Sequence, residues 1–191
     1  MLGLARARDC RTLCATAASS WASARSMRAG LLEVHQESAL PIDATLARIA
    51  EAVALHHGEG RRAAARERFA EIWADIGGER GDPLPVCVLA HSMADVQDDP
   101  RDELVWDLRA LDAAGRITDE QVAAAGVPLS VAGLYPSLYL NLAECHRKLG
   151  DFDQARAYLQ RARDTIGALG DDDYGRLIRD GLARVAEQLL R

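Results

Sequence analysis

What most constrains this chain is where its helix breakers fall. From residue 42 onward, glycines and prolines sit between segments whose apolar residues recur at spacings of three and four, the period of a one-sided helix. The chain therefore reads as helix, short turn, helix, several times over. The first unit predicts a helix from a cap at Asp43 to His57, with Ile49, Ala52 and Val53 on its apolar side; Gly58 and Gly60 break it. A second helix follows over 61–76. Ala65, Phe69, Ile72, Trp73 and Ile76 make its face, and Gly77-Gly78 closes it.

Asp82-Pro83 opens the next unit in the order cap, then first helical position. Its first helix carries Cys87, Leu89, Ala90, Met93 and Val96. Asp99-Pro100 repeats the start signal, and the helix it begins holds Leu104, Val105, Leu108 and Leu111 as far as Gly115. Thr118 and Gln121 have the spacing of a reciprocal cap for a short helix to about residue 125. Pro128 and Pro136 punctuate the stretch beyond, which places the start of the following helix at Ser137. That helix runs to Leu149, with Gly150 after it. Its partner covers 152–166, and a last amphipathic helix spans 174–190. No alternating run demands a strand.

The units repeat. With residues 142–155 laid on 89–102, Leu142 meets Leu89, Ala143 meets Ala90 and Asp151 meets Asp98; in the same register Leu159 meets Trp106 and Asp102 stands at the place of Ala155. Residues 136–167 closely resemble a tetratricopeptide repeat, through Tyr139, Leu142, Ala143, Gly150, Asp151, Phe152, Ala155, Leu159 and Ala162. Helices that pack closely need small side chains at the contact, which Ala143, Ala155 and Ala162 supply, with Phe152 and Leu159 expected beside them. The match has departures: His146 stands where the family usually has Tyr, Gly167 where Pro is common, and Val53 where a small residue is expected. The resemblance implies an all-α fold, a right-handed α-solenoid of antiparallel helical hairpins over 42–167, with the helix at 174–190 as its cap.

Composition agrees. The 191 residues are 49% hydrophobic, 27% charged and only 5% aromatic, a globular balance that favours helices. No apolar run approaches the ~18–20 residues of a membrane span. The net charge of −6 is the reverse of a nucleic-acid binder's basic footprint. Four cysteines without a CxxC pair suit a reducing cytoplasm better than a secreted disulfide framework. The charge is uneven: residues 1–30 hold five arginines against Asp9, while the rest carries 18 basic and 28 acidic side chains. That Arg- and Ser-rich start reads either as an organellar transit peptide or as translation from an upstream start, with Met27 the true first residue. Composition favours the second. Both readings set residues 1–30 apart as an extension without order and leave 31–191 as the helical domain.

By resemblance, the first helix of each hairpin lines a concave face that binds a protein or peptide. The positions implied are Ser137, Leu140, Asn141, Glu144 and Lys148 in the third hairpin and Cys87, His91 and Asp95 in the second. His91, Asp95, Asn141, Glu144 and Lys148 are the candidate partner-binding residues. No catalytic residue and no cofactor is expected. Two other readings remain open: a metal-dependent enzyme using His91, Asp95, Asp98 and Asp99, and a structural homo-oligomer associating through the last helix or the insertion after the second hairpin. His56-His57 at a helix end favours imidazolium through the helix dipole. His146, Trp73, Trp106, Cys87 and Cys145 read as core residues, and the acidic stretch 95–120 as a solvated outer face.

Overall fold

The structure, a computed structural model, describes residues 42–126 and 129–190. These hold eight α-helices and no strand: α1 (Ile42–His57), α2 (Arg62–Asp75), α3 (Pro83–Ala94), α4 (Pro100–Ala114), α5 (Asp119–Ala124), α6 (Val131–Lys148), α7 (Phe152–Thr165) and α8 (Asp173–Leu189). The extension 1–30, the domain start at 31, Met27 and Pro128 lie outside the described residues, as does the side chain of Asp43. The described residues form an all-α helical-repeat fold. Helices α1/α2, α3/α4 and α6/α7 pack as hairpins, α4 lies against α6, and α8 covers both α6 and α7.

Local chemistry sets most helix ends. Asp82 and Asp99 cap α3 and α4 by accepting from the Leu84 and Arg101 amides, each with proline at the first helical position. Both halves of the capping box form at α5: the Thr118 hydroxyl accepts from the Gln121 amide, and the Gln121 side chain accepts from the Thr118 amide. Asp151 and Asp172 cap α7 and α8. Gly150 leaves α6 in the left-handed region, at φ +79°, as a C-terminal glycine does. Gly175 is fixed by close approach instead: a β-carbon there would collide with the Gly170 carbonyl oxygen.

Helix α6 departs from expectation. It starts six residues before Ser137, at Val131, and carries Pro136 in its interior. The missing proline amide costs about 3 kcal/mol in a helix interior. Ser130 caps the early turn on the Gly133 amide, and the Asp119 carboxylate accepts from the Val131 amide at 3.1 Å, so that α5 clips the start of α6. Leu134 from this extension, with Leu138 just beyond it, completes a core shared with α1–α4. Past Leu138 the same helix turns to a second core, where Leu140 and Ala143 meet Leu159 and Ala162 of α7 and Ile178, Leu182 and Val185 of α8. Of the last helix's apolar stripe, Ile178, Leu182 and Val185 are thus buried inside the chain, and Tyr174, Leu177, Ala186 and Leu189 are partly buried.

Two further expectations are corrected. Phe152, read as filling space beside the alanines, is 50% exposed at the first position of α7. Helix α4 is rotated from its apolar reading: Val105 and Leu108 are 47% and 43% exposed, while Asp107, Ala110, Ala113 and Ala114 face inward. The reason is a turn one residue longer in the second hairpin. Ala90 and Ala143 are equivalent buried alanines, but the caps are Asp99 and Asp151, so beyond the turn Asp107, not Trp106, corresponds to Leu159. Glu103 then corresponds to Ala155.

Candidate functional site

The described polar side chains converge where α3, α4 and α6 meet. Asp107 of α4 is fully closed to solvent. Its Oδ1 lies 3.4 Å from Asn141 Nδ2 and 3.5 Å from His91 Nδ1, and its Oδ2 accepts from the Cys145 thiol at 3.3 Å. Asn141 Nδ2 is also 3.3 Å from His91 Nδ1. One turn before Asp107, both oxygens of Glu103 accept from Lys148 Nζ, at 2.8 and 2.9 Å. The joint therefore takes His91 from α3, Glu103 and Asp107 from α4, and Asn141, Cys145 and Lys148 from α6. Buried polar groups need such partners, because each one left unpaired costs free energy.

The electrostatics follow from burial and neighbours. Desolvation pushes the Cys145 thiol far up, and the charges of Asp107 and Glu103 push it further. Cys87, buried elsewhere in α3, is raised by burial alone to about 12. Burial alone would lower the Lys148 ammonium, but the hydrogen bond and charge of Glu103 outweigh it, and the net shift is upward. Both thiols are protonated at neutral pH and inert as nucleophiles.

The five residues read as a binding face are placed as follows. His91 and Asn141 are in contact, half-buried and buried respectively. Lys148 turns to Glu103, leaving the pair's side chains 19% and 14% exposed. Glu144 is held by Arg147 through two bonds of 2.7 Å. Asp95 is buried at the C-terminal cap of α3. The aspartates beyond it go separate ways: Asp98 pairs with Arg62 and Arg66 of α2, and Asp99 caps α4. The acid-rich stretch is therefore not wholly a solvated face, since Asp107 is internal. Among the described residues, the three ligating side chains that gather within 4.8 Å of one another are Glu103, Asp107 and Cys145.

Other candidates are packed. His146 is 3.3 Å from Asp151 and stacks on Tyr158. Trp73 and Trp106 meet edge to face at 4.9 Å, with the Arg109 guanidinium 4.4 Å over Trp106. His57 corrects the dipole argument: burial first, then repulsion from His56, lowers its pKa to about 4. An open, mostly apolar groove of about 480 Å³ lies between the start of α6 and the end of α7, lined by Val131, Tyr135, Asp164, Thr165 and Ala168. No described helix is long and apolar enough to cross a membrane.

The family model for the tetratricopeptide repeat matches residues 134–191, opening inside the early part of α6 and running through α7 and α8. No curated protein and no solved structure matches the chain.

Proposed function

Because residues 134–191 match the tetratricopeptide-repeat family model, we propose that this chain is a non-enzymatic scaffold that binds a protein or peptide partner through the face shared by α3 and α6. Repeats of this family mediate contacts between proteins, and stacked hairpins present their first helices side by side. One observation supports the placement: His91 of α3 and Asn141 of α6 lie 3.3 Å apart, a side-chain contact between the first helices of successive hairpins. The partner engages that face at its part-exposed rim, His91 and Lys148, behind which Asn141, Glu144 and Asp95 are buried. These groups are held in the chain's own polar contacts, so a partner exchanges bonds with them rather than finding them bare. Bidentate or charge-assisted groups, such as a peptide carboxylate at Lys148, have the strength for that exchange. The setting is cytoplasmic.

Lys148 is the one lysine in the chain, which makes the test direct. An amine-reactive photo-cross-linker couples to Lys148 and to the terminal amine, and Lys148→Arg removes the first. Adducts to a discrete protein in extract, absent from Lys148→Arg, are expected. Identical adducts in both proteins contradict the placement.

A further inference from the structure

We propose that Glu103, Asp107 and Cys145 form a binding site for a single thiophilic divalent cation of the zinc type, joining α4 of the second hairpin to α6 of the third. The donor set is mixed, with one thiol and two carboxylates, which suits zinc rather than calcium or magnesium. Its ligating atoms lie within 4.8 Å of one another, with Cys145 Sγ and Asp107 Oδ2 already 3.3 Å apart. Glu103 and Asp107 are four residues apart on one helix face, and Cys145 faces them from the neighbouring helix.

The place of these carboxylates in the repeat is a separate observation. In the third hairpin the equivalent positions are Ala155 and Leu159, both buried and apolar. The second hairpin puts acids at both, and one of them is completely enclosed. Two carboxylates, Asp107 enclosed and Glu103 mostly buried, face one permanent cation, Lys148, so a neutral His91 leaves a negative surplus. A divalent cation with the Cys145 thiolate removes it: three negative ligands, two positive charges on the ion and one on Lys148 sum to zero. The surroundings fit this role. His91 and Asn141 hold Oδ1 of Asp107 and leave Oδ2 toward Cys145, as outer partners orient a ligating carboxylate. Lys148 bonds both oxygens of Glu103, so one can pass to the cation while the other keeps the ammonium. Solvent reaches the site from the Glu103 side, the more exposed one.

Binding balances as one proton for one ion. The sulfur–hydrogen bond of Cys145 breaks, the sulfur lone pair goes to the cation, and the proton goes to bulk water. Affinity therefore rises about tenfold per pH unit while the thiol stays protonated in the free protein. This site shares His91, Asn141 and Lys148 with the partner-binding reading but does not rest on it.

The test is a cobalt(II) titration of the full chain, stripped with chelator, in a Cys10→Ser, Cys14→Ser background. Cys87 and Cys145 are then the remaining thiols. The expected result is a thiolate-to-cobalt charge-transfer band that saturates at one ion per chain, is bleached by zinc, and survives Cys87→Ser. Cys145→Ser should abolish the band, and Asp107→Asn should weaken binding at least about tenfold, as loss of a ligand does. Circular dichroism confirms that each variant is folded. A folded background protein that shows no band overturns the site, whatever the variants do. A band kept at full strength in Cys145→Ser overturns it equally.

Discussion

The Cys145 thiol donates to Asp107 Oδ2 at 3.3 Å, from the third hairpin to the second, with both side chains closed to solvent. Asp107 occupies the position that Leu159 fills in the neighbouring hairpin, so a contact that could have been apolar is polar. Asp107→Leu should leave the Asn141 amide and the Cys145 thiol without their acceptor and cost about 1–3 kcal/mol in urea unfolding. Adding Asn141→Leu should recover much of that loss, because removing both partners costs less than removing one. Equal losses in the single and double variants would show that Asn141 does not depend on Asp107.

Lys148 and Glu103 make the second tie between α4 and α6. Lys148→Met should cost about 3 kcal/mol, because it strands a carboxylate that is mostly buried. Combining it with Glu103→Gln should restore part of the stability. Additive losses in a double-mutant cycle would mean the pair is not coupled.

The alanine contacts set the hairpin spacing. Ala143→Leu and Ala155→Leu should each lose about 1–3 kcal/mol by overpacking, since both sites are fully enclosed. Phe152→Ser, at a half-exposed position, should change stability less than either. Thermal or urea melts read all three, and unchanged melting of both alanine variants would contradict the packing.

His57 gives a signed pH dependence. Its folded pKa is lowered to about 4 from an ordinary value of 6.5, by burial and by His56. The unfolded chain therefore binds a proton in a window where the folded chain does not. Stability from this group is fully present above about pH 6.5 and is lost as pH falls from there toward about 4. His57→Gln should flatten that part of the stability curve. The wild-type slope persisting in the variant would assign it to other groups.

Features written in local chemistry were legible in the sequence. The Asp82-Pro83 and Asp99-Pro100 starts, the Thr118/Gln121 box and the Gly150 exit need only neighbouring residues, and all four form. Features that depend on a distant element were not. Pro136 reads as a break, yet Asp119 and the core around Leu134 and Leu138 hold a helix through it. Apolar periodicity pointed α4 inward through Val105 and Leu108, whereas Asp107 is inside. A buried carboxylate is stable only with partners, and those come from α3 and α6, which a single helix does not reveal. One signal was present: laying the repeats on their caps, Asp99 on Asp151, sets Asp107 on Leu159 and marks it as internal. His91 and Asn141 were each legible as first-helix positions, but their contact was not, because it depends on how two hairpins pack. Cys145 read as an ordinary core thiol, which its apolar neighbours conceal.

The reactivity of Lys148 tests the partner-binding face most directly. With the chain's one lysine at that rim, acetylation by an amine reagent, followed by mass spectrometry of the peptide holding residue 148, reads its accessibility alone. When the partner captured by cross-linking is added back, labelling of Lys148 should fall sharply while carboxyl labelling of Asp153, on the outer side of α7, stays unchanged. Lys148 labelled at the same rate with and without the bound partner would place the interaction elsewhere on the molecule.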